Sequence, residues 1–153
     1  MADQNTSIRE LTCEDAPVVA KLLHELLNEL AKEDGPSLPT LQRAAEEVLR
    51  SDSVGGALAV SGDEPVGVIM LNECMAIYAG GRFGEITELY VSPADRSKGI
   101  APLLIDAAIK IGRRKGWKRL EVGAPDQPAW GRTLSFYLRE GFEEVGPRLR
   151  RII

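Results

Sequence analysis

A short basic loop in the second half of the chain joins an apolar run to an amphipathic helical stretch. The loop, Arg96–Ala101, reads Arg-Ser-Lys-Gly-Ile-Ala and follows the apolar run Ile86–Val91. Backbone N–H groups at a helix N-terminus have no partner within the helix, and the helix dipole adds positive potential there. Gly99 allows the chain to approach an anion closely, while Arg96 and Lys98 supply positive charge. The loop is therefore typical of a phosphate-binding site.

A second motif lies further along the chain, where residues 136–142 read Phe-Tyr-Leu-Arg-Glu-Gly-Phe. Gly141 and Phe142 are typical of a helix that ends in a left-handed glycine with a hydrophobic partner beyond it. Leu134, Tyr137 and Leu138 are also spaced as one apolar stripe of that helix, so an ordinary core position is the alternative to a role for Tyr137 in a site. The basic loop alone is weak evidence for a site, and this second motif strengthens it.

The apolar periodicity predicts a mixed sheet with helices on both faces. Strands are predicted at 7–11, 55–60, 66–71 with an extension toward Tyr78, 83–91 and 120–123, with one or two closing strands from 145 onward. Helices are predicted after Thr12 and after Thr40 as N-caps, then at 100–115 up to Gly116, and finally up to Gly141. A five-residue turn at 61–65 would join two of the strands as a hairpin. The expected fold class is α/β of the α+β type, with a mixed, mostly antiparallel central sheet.

Length and composition favour one globular domain. The 153 residues suffice for a single core, and 44% hydrophobic with 27% charged residues is typical of a globular protein. The formal net charge of −4 gives no general basic field that would hold nucleic acid or an anionic membrane. Signal-peptide, membrane-span and disulfide-framework patterns are all absent from the sequence. We expect one cytoplasmic domain over residues 1–153, with neither nucleic acid nor membrane as a partner.

Three segments together resemble the GNAT superfamily of acyl-CoA-dependent N-acyltransferases. They are Glu88–Pro93, the pattern Arg96-x-x-Gly99-x-Ala101, and the pattern Phe136-Tyr137-x-x-x-Gly141-Phe142. The basic loop resembles that family's pyrophosphate motif, and the last segment resembles its C-terminal helix. The resemblance implies a single acyl-CoA N-acyltransferase domain whose fourth and fifth strands splay apart. Acetyl-CoA would enter the wedge between them as cosubstrate, and no metal is expected.

The resemblance also implies which groups would meet the cosubstrate. The strand 86–91 would pair with the pantetheine arm, and backbone groups of Leu89 and Val91 would bind the thioester carbonyl and the pantetheine amides. Splayed strands leave backbone donors and acceptors unpaired, and an amide-bearing arm can satisfy them. The implied cosubstrate-binding residues are Leu89, Tyr90, Val91, Arg96, Ser97, Lys98, Gly99, Ile100, Ala101, Trp130 and Thr133.

The reaction that the resemblance implies is direct acetyl transfer to an amine in a ternary complex. The N–H of Leu89 would stabilise the carbonyl oxygen, and Tyr137 would protonate the departing thiolate. Glu85 and Glu88 are both candidates for the general base, acting through water. The alternative is that the amine arrives already neutral and needs no base.

Strand alternation distinguishes the two glutamates only in part. It places Glu85 on the face of Leu89, and Glu88 on the face of Ile86 and Tyr90. Either glutamate could instead be an ordinary polar residue on the solvated face of an antiparallel strand. The choice of base therefore stays open at the level of the sequence.

The chain departs from the family pattern at two positions, and the acceptor is only partly readable. Trp130 stands where the family often has an asparagine that binds the cosubstrate arm, and Thr133 stands where it often has alanine. Acidic residues in segments that set acceptor choice in the family are expected to ring the acceptor mouth; they are Glu29, Glu33, Asp34, Glu73, Glu85 and Glu88. Such a ring would attract a small cationic amine, which is the predicted acceptor.

Two alternative functions remain open from the sequence. One is acetylation of a protein or peptide amine rather than a small molecule. The other is a non-catalytic acyl-CoA-binding module, which the unusual Trp130 keeps open. A homodimer is expected only by analogy with the family.

Overall fold

The computed structural model describes residues 5–31, 35–123, 131–146 and 148–153. Its strands are β1 (Thr6–Glu10), β2 (Val54–Ser61), β3 (Glu64–Ala76), β4 (Gly81–Val91) and β5 (Leu120–Val122). Its α-helices are α1 (Ala16–Ala31), α2 (Leu38–Leu49), α3 (Ile100–Lys115) and α4 (Gly131–Arg139). Short 3₁₀ helices at Cys13–Asp15 and Pro93–Asp95 precede α1 and α3. Within these ranges, no helix is both long and apolar enough to cross a membrane.

The strands form one mixed sheet in the order β1-β2-β3-β4-β5. Neighbours pair antiparallel except β4 and β5, which are parallel and are connected through α3. The predicted fold class, a mostly antiparallel mixed sheet with helices, is confirmed. The β2–β3 turn is tighter than predicted, because Ser61 already pairs with Glu64. Gly62 adopts φ 62°, a left-handed conformation that lets a two-residue turn close the hairpin.

Both faces of the sheet are covered, which explains why β3 is apolar at consecutive positions. Ile69 and Leu71 pack in a cluster with α3, whereas Val68 and Met70 pack in a second cluster with α1. Successive strand residues point to opposite faces, so a strand between two helical layers buries every side chain. Helices α1 and α2 pack against each other over the second face.

Two helix starts differ in how well the sequence predicted them. The predicted cap Thr12 precedes the short 3₁₀ helix that leads into α1, and its N–H donates to the carboxylate of Asp15 at 2.8 Å. The guanidinium of Arg9 also binds Asp15, and chiefly this bond holds the pKa of that carboxyl below its usual range. Thr40 is not the cap of α2: Ser37 caps it and accepts from the Thr40 N–H at 3.3 Å.

The closing strands predicted from Val145 onward do not form in the described residues 142–146 and 148–153. A strand needs a neighbour to pair its backbone and a core to bury its alternate side chains. Leu149 and Ile152 are 90% and 77% exposed, so none of the described elements covers these apolar side chains. By contrast, the predicted glycine ends are confirmed at Gly116, with φ 75°, and at Gly141, with φ 95°.

Trp117 fixes the C-terminal end of α3 against the sheet. Its ring lies over Gly84 of β4 and Gly112 of α3, where a Cβ atom would come within 2.2 Å and 2.9 Å of ring carbons. Its indole Nε1 donates to the carboxylate of Glu73 at 2.7 Å, so the ring cannot simply move aside. The absence of a side chain at these two glycines is what allows the close approach.

We expect Gly84→Ala to destabilise the fold, since the added methyl group would overlap the Trp117 ring. The expected loss is about 1–3 kcal/mol in the free energy of unfolding, measured by urea denaturation. Gly55→Ala in β2 of the same sheet is the matched control, because a Cβ atom at Gly55 would meet nothing within 4 Å. Equal stability of the two variants would contradict the packing described for Trp117.

Candidate active site

The basic loop between β4 and α3 has the backbone of an anion-binding site. Gly99 adopts φ 79° and ψ 15° as the N-cap of α3. Ser97 has φ 65° and is, within the described residues, the one non-glycine with positive φ. A side chain in this conformation is strained, and such strain concentrates at functional sites. Alternating left-handed residues turn successive N–H groups to one side, and the N–H groups of Ile100 and Ala101 start the helix there.

The side chain of Arg96 points away from this loop. It forms a bidentate ion pair with Glu29 of α1, at 2.7 Å for both contacts, and its Nε donates to the Val91 carbonyl at 3.0 Å. The pair raises the pKa of Arg96 and lowers that of Glu29, chiefly through the hydrogen bonds between them. The expectation of a mobile Arg96 charge for an anion is therefore corrected. Lys98, whose Nζ lies 3.4 Å from Asp95, is the loop cation that remains near the helix start.

A β-bulge in β4 changes the faces of the two candidate glutamates. Met70 pairs with Glu88, but Leu71 pairs with Ile86, so Thr87 is an extra residue on β4. Ile86 and Leu89 consequently pack on the same cluster, on the α3 face of the sheet. Their neighbours along the strand, Glu85 and Glu88, therefore both lie on the opposite face. The predicted separation of the two glutamates on different faces is wrong, because alternation reverses at a bulge.

Glu88 lies at a cavity of about 100 Å³ between β4 and the pair α1 and α2. Apart from this carboxylate the lining is apolar; it consists of Val19, Ala20, Leu23, Leu27, Leu41, Ala44, Ala45, Val48 and Met70. The hydroxyl of Thr87 donates to the Glu88 carboxylate. A carboxylate beside an apolar cavity is suited to receive an amine and to accept its proton.

Glu85 is engaged by the C-terminal segment of the chain. Its carboxylate forms an ion pair with Arg148, and the Cys74 thiol lies 3.9 Å from its other oxygen. Burial, and then the Glu85 charge, raise the pKa of Cys74. The carboxylate of Glu73 accepts a hydrogen bond from Trp117, and the carboxylate of Glu29 is paired with Arg96. The expected acidic ring thus reduces to Glu88 at the cavity, with Glu33 and Asp34 outside the described residues.

Tyr137 is buried in the core between two aromatic neighbours. It is 6% exposed, and its ring centroid lies 5.4 Å from that of Phe136 and 5.4 Å from that of Phe142. Burial raises the pKa of Tyr137 to about 12. The phenol therefore keeps its proton at neutral pH and can act as a proton donor but not as a base. Thr133 is half-buried on the same helix, and Trp130 lies outside the described residues.

The residues at the end of β4 divide between the two faces. Leu89 and Val91 pack toward α3, whereas Tyr90 packs toward α1 and donates its hydroxyl to Glu25 at 3.1 Å. Burial, and then this hydrogen bond, raise the pKa of Tyr90 to about 12. Because these three side chains point to the faces of the sheet, the edge of β4 on the β5 side consists of backbone groups.

The far edge of β4 is where a ligand could pair. β5 pairs with β4 over three residues only, from Gly84 to Ile86. Beyond Ile86, in the part of the chain that the structure describes, β4 has no strand on that side. Among the described residues, no strand pairs with this edge from Thr87 to Val91, where the one side-chain contact is that of Arg96 with the Val91 carbonyl, and the edge leads toward the loop. Grouped His, Cys, Asp or Glu side chains able to hold a metal ion do not occur among the described residues.

A family model described as Acetyltransferase (GNAT) family matches residues 19–142. The chain belongs to this family. It is therefore an acyltransferase, and its sheet carries the GNAT fold. A thialysine N-epsilon-acetyltransferase of Caenorhabditis elegans is 26% identical over 123 residues, covering 80% of this chain and 75% of the relative.

Solved structures agree with this membership. A ribosomal-protein-alanine N-acetyltransferase from Brucella melitensis biovar Abortus 2308 has a TM-score of 0.71 at 25% identity, with 97% of each chain covered. An aminoglycoside acetyltransferase from an uncultured soil metagenomic sample has a TM-score of 0.77 at 22% identity, with 99% of this GNAT chain and 98% of that chain covered. The second likeness bears on the fold alone.

Sequence patterns missed the role of Thr87, the pairing of Glu29 with Arg96 and the residues that line the cavity. An apolar helix face that borders a cavity has the same periodicity as one that packs on a core. The sole sign in the sequence is the small size of Ala20, Ala44 and Ala45, which leaves space between α1 and α2. No local sequence pattern predicts the bulge at Thr87 or the pairing of Glu29 with Arg96.

Tyr137 should make stability depend on alkaline pH. The unfolded phenol loses its proton near its usual value of about 10, whereas the folded one keeps it up to about 12. Its stabilising contribution is fully present below about pH 10 and is lost as pH rises toward 12, at about 1.4 kcal/mol per pH unit. We expect Tyr137→Phe to reduce this slope in urea unfolding measured from about pH 9 to 11. An unchanged slope would contradict the buried phenol.

Proposed function

We propose that this protein transfers an acetyl group from acetyl-CoA to the amine of a small molecule held beside Glu88. The observation that carries the proposal is the position of β4 between two complementary features. Within the described ranges, the edge of its second half has no strand beyond β5 and leads to the loop at Gly99, and the same stretch presents Glu88 to the cavity of α1 and α2. One strand could therefore align an acyl donor and an amine.

The loop and the strand edge suit the two polar parts of the cosubstrate. The N–H groups from Ser97 to Ala101 would bind the diphosphate, because they are oriented by left-handed residues and by the start of α3. Backbone groups of Leu89 and Val91 would pair with the amide-bearing arm as an added strand does. The Val91 carbonyl already accepts from Arg96, and its second lone pair remains for a ligand. Thr133 of α4 would approach the same arm, and Trp130 lies outside the described residues.

The proposed reaction needs three groups of this chain. Glu88 accepts a proton from the ammonium, directly or through water, so that the nitrogen lone pair can attack the thioester carbon. The N–H of Leu89 stabilises the negative carbonyl oxygen while the new C–N bond forms. The C–S bond then breaks and Tyr137 donates its proton to the leaving thiolate. A phenol whose pKa stands at about 12 is fully protonated beforehand, as this step requires. The attacking nitrogen loses its second proton as the neutral amide forms, and this proton restores the phenol through water.

The lining of the cavity favours an aliphatic amine as acceptor. Nine apolar residues surround a single carboxylate there. Each methylene group buried in such a space contributes about 0.8 kcal/mol of binding, whereas a buried hydroxyl group without a partner costs free energy. A primary amine on a short hydrocarbon chain therefore fits better than a polyhydroxylated one. The nematode relative, named for acetylation of the epsilon nitrogen of thialysine, is compatible with this acceptor class.

Binding of coenzyme A tests the loop, with Gly99→Glu as the informative variant. The added carboxylate would enter the diphosphate site, so we expect calorimetry to show a loss of binding by at least about a hundredfold. Gly116→Glu is the matched control, because Gly116 has φ 75° against 79° at Gly99. It lies at the other end of the 16-residue helix α3, about 24 Å away. Equal binding by the two variants would remove the loop from the site.

A panel of aliphatic, peptide and aminoglycoside amines tests the chemistry, with Glu88→Gln compared against Glu85→Gln. We expect Glu88→Gln to lower kcat by roughly 10²-fold or more at neutral pH and to move the rate profile toward higher pH. Glu85→Gln should keep kcat near that of the parent, because Glu85 is already paired with Arg148. A larger loss of kcat in Glu85→Gln than in Glu88→Gln would indicate that Glu85 is the general base. Tight coenzyme A binding without transfer to any amine would instead favour a non-catalytic acyl-CoA-binding module.

A further inference from the structure

The side chain of Arg96 connects three parts of the molecule. Its two terminal nitrogens donate to the two carboxylate oxygens of Glu29, and its Nε donates to the carbonyl of Val91. The guanidinium carbon also lies 5.6 Å from the centroid of the Tyr90 ring. All three nitrogens have partners, so the planar group is held in one orientation. The loop, the end of β4 and helix α1 therefore meet at this one group.

Helix α1 is at the same time a wall of the cavity that holds Glu88. Leu23 and Leu27 line that cavity, and Glu29 follows on the same helix. The hydroxyl of Tyr90 binds Glu25 of α1 at 3.1 Å, one helical turn before Glu29. Because a hydrogen-bonded helix moves as a unit, contacts near its C-terminal end decide where the cavity wall lies relative to β4.

We propose that Glu29 is a positioning residue that, through Arg96, fixes the α1 wall of the cavity relative to the loop 96–101. This inference rests on the proposed function, in which the loop holds the acyl donor and the cavity holds the amine. Glu29 touches neither reactant. It sets the separation between the two binding sites, and that separation decides how closely the amine nitrogen approaches the thioester carbon.

The exposure of the Glu29–Arg96 pair indicates a geometric role more than a contribution to stability. The two side chains are 32% and 43% exposed, and water screens a pair of this kind. A bidentate pair of the same chemistry joins Glu10 to Arg114 near the opposite end of α3. Both pairs link separate elements, but only the pair at Glu29 joins the loop to the cavity wall. Glu10 is therefore a matched control for Glu29.

The experiment compares Glu29→Gln with Glu10→Gln in the full-length protein. We measure kcat and KM for an accepted amine, the Kd for coenzyme A by calorimetry, and the melting temperature. We expect Glu29→Gln to lower kcat/KM for the amine by roughly 10- to 100-fold, because small displacements from the reactive geometry are costly. Its Kd for coenzyme A should change by less than about threefold, since the backbone N–H groups that bind diphosphate remain. Glu10→Gln should keep the kinetic parameters of the parent, with a similar melting temperature.

Three results would overturn the proposal. Equal kcat/KM for Glu29→Gln and Glu10→Gln would reduce Glu29 to a surface ion pair. Tighter coenzyme A binding by Glu29→Gln would mean that Glu29 withholds Arg96 from the diphosphate instead of positioning α1. If Glu29→Gln loses as much affinity for coenzyme A as it loses in kcat/KM, the substitution acts through the diphosphate-binding loop and not through the position of α1. The parent protein separates these results from failure of the proposed function, because a parent that acetylates no amine rejects both.

Discussion

Strand β4 changes its hydrogen-bonded neighbours around Thr87, and both halves of the candidate site follow from that change. On one edge, the bulge at Thr87 reverses the alternation and turns Glu88 toward the cavity. On the other edge, β5 pairs only as far as Ile86, and no other strand of the described residues pairs with the backbone that follows. Backbone polar groups that leave a ladder need another partner, which makes a strand edge of this kind a place for a ligand. A regular strand would supply neither feature.

The electrostatics of the site are local, and most of its charges already have partners. Glu29 binds Arg96, Glu85 binds Arg148, and the net charge of the chain is only −4. Charged pairs of this kind fix the orientation of side chains more than they stabilise the fold. Glu88 differs, because it receives a neutral hydroxyl from Thr87 and borders an apolar lining. Among the described residues Glu88 has no ion-pair partner, so its carboxylate can still accept a proton.

Helix α3 joins the loop at its N-terminus to the part of β4 on which its C-terminal end is held. Its N-terminus begins at the loop behind Gly99, and its C-terminal end is held on β4 by Trp117, which packs over Gly84. Its buried side chains, among them Leu104 and Ile105, share a core with Tyr137. The loop and the proposed proton donor are thus attached to one rigid layer. The acceptor cavity belongs to the other layer, and the two layers meet across β4.

The sequence by itself determined the family, the order of the elements and the location of the loop, because these depend on local patterns. Glycine spacing fixed the ends of α3 and α4 at Gly116 and Gly141, and apolar periodicity located the main helices and strands. Only the tertiary structure decided which glutamate borders the cavity and where the Arg96 side chain points. A bulge and an ion pair between residues 29 and 96 are non-local: they depend on which strands and helices come together, and short-range patterns carry no record of that. The missing closing strands have the same cause, since a strand exists only where another one pairs with it.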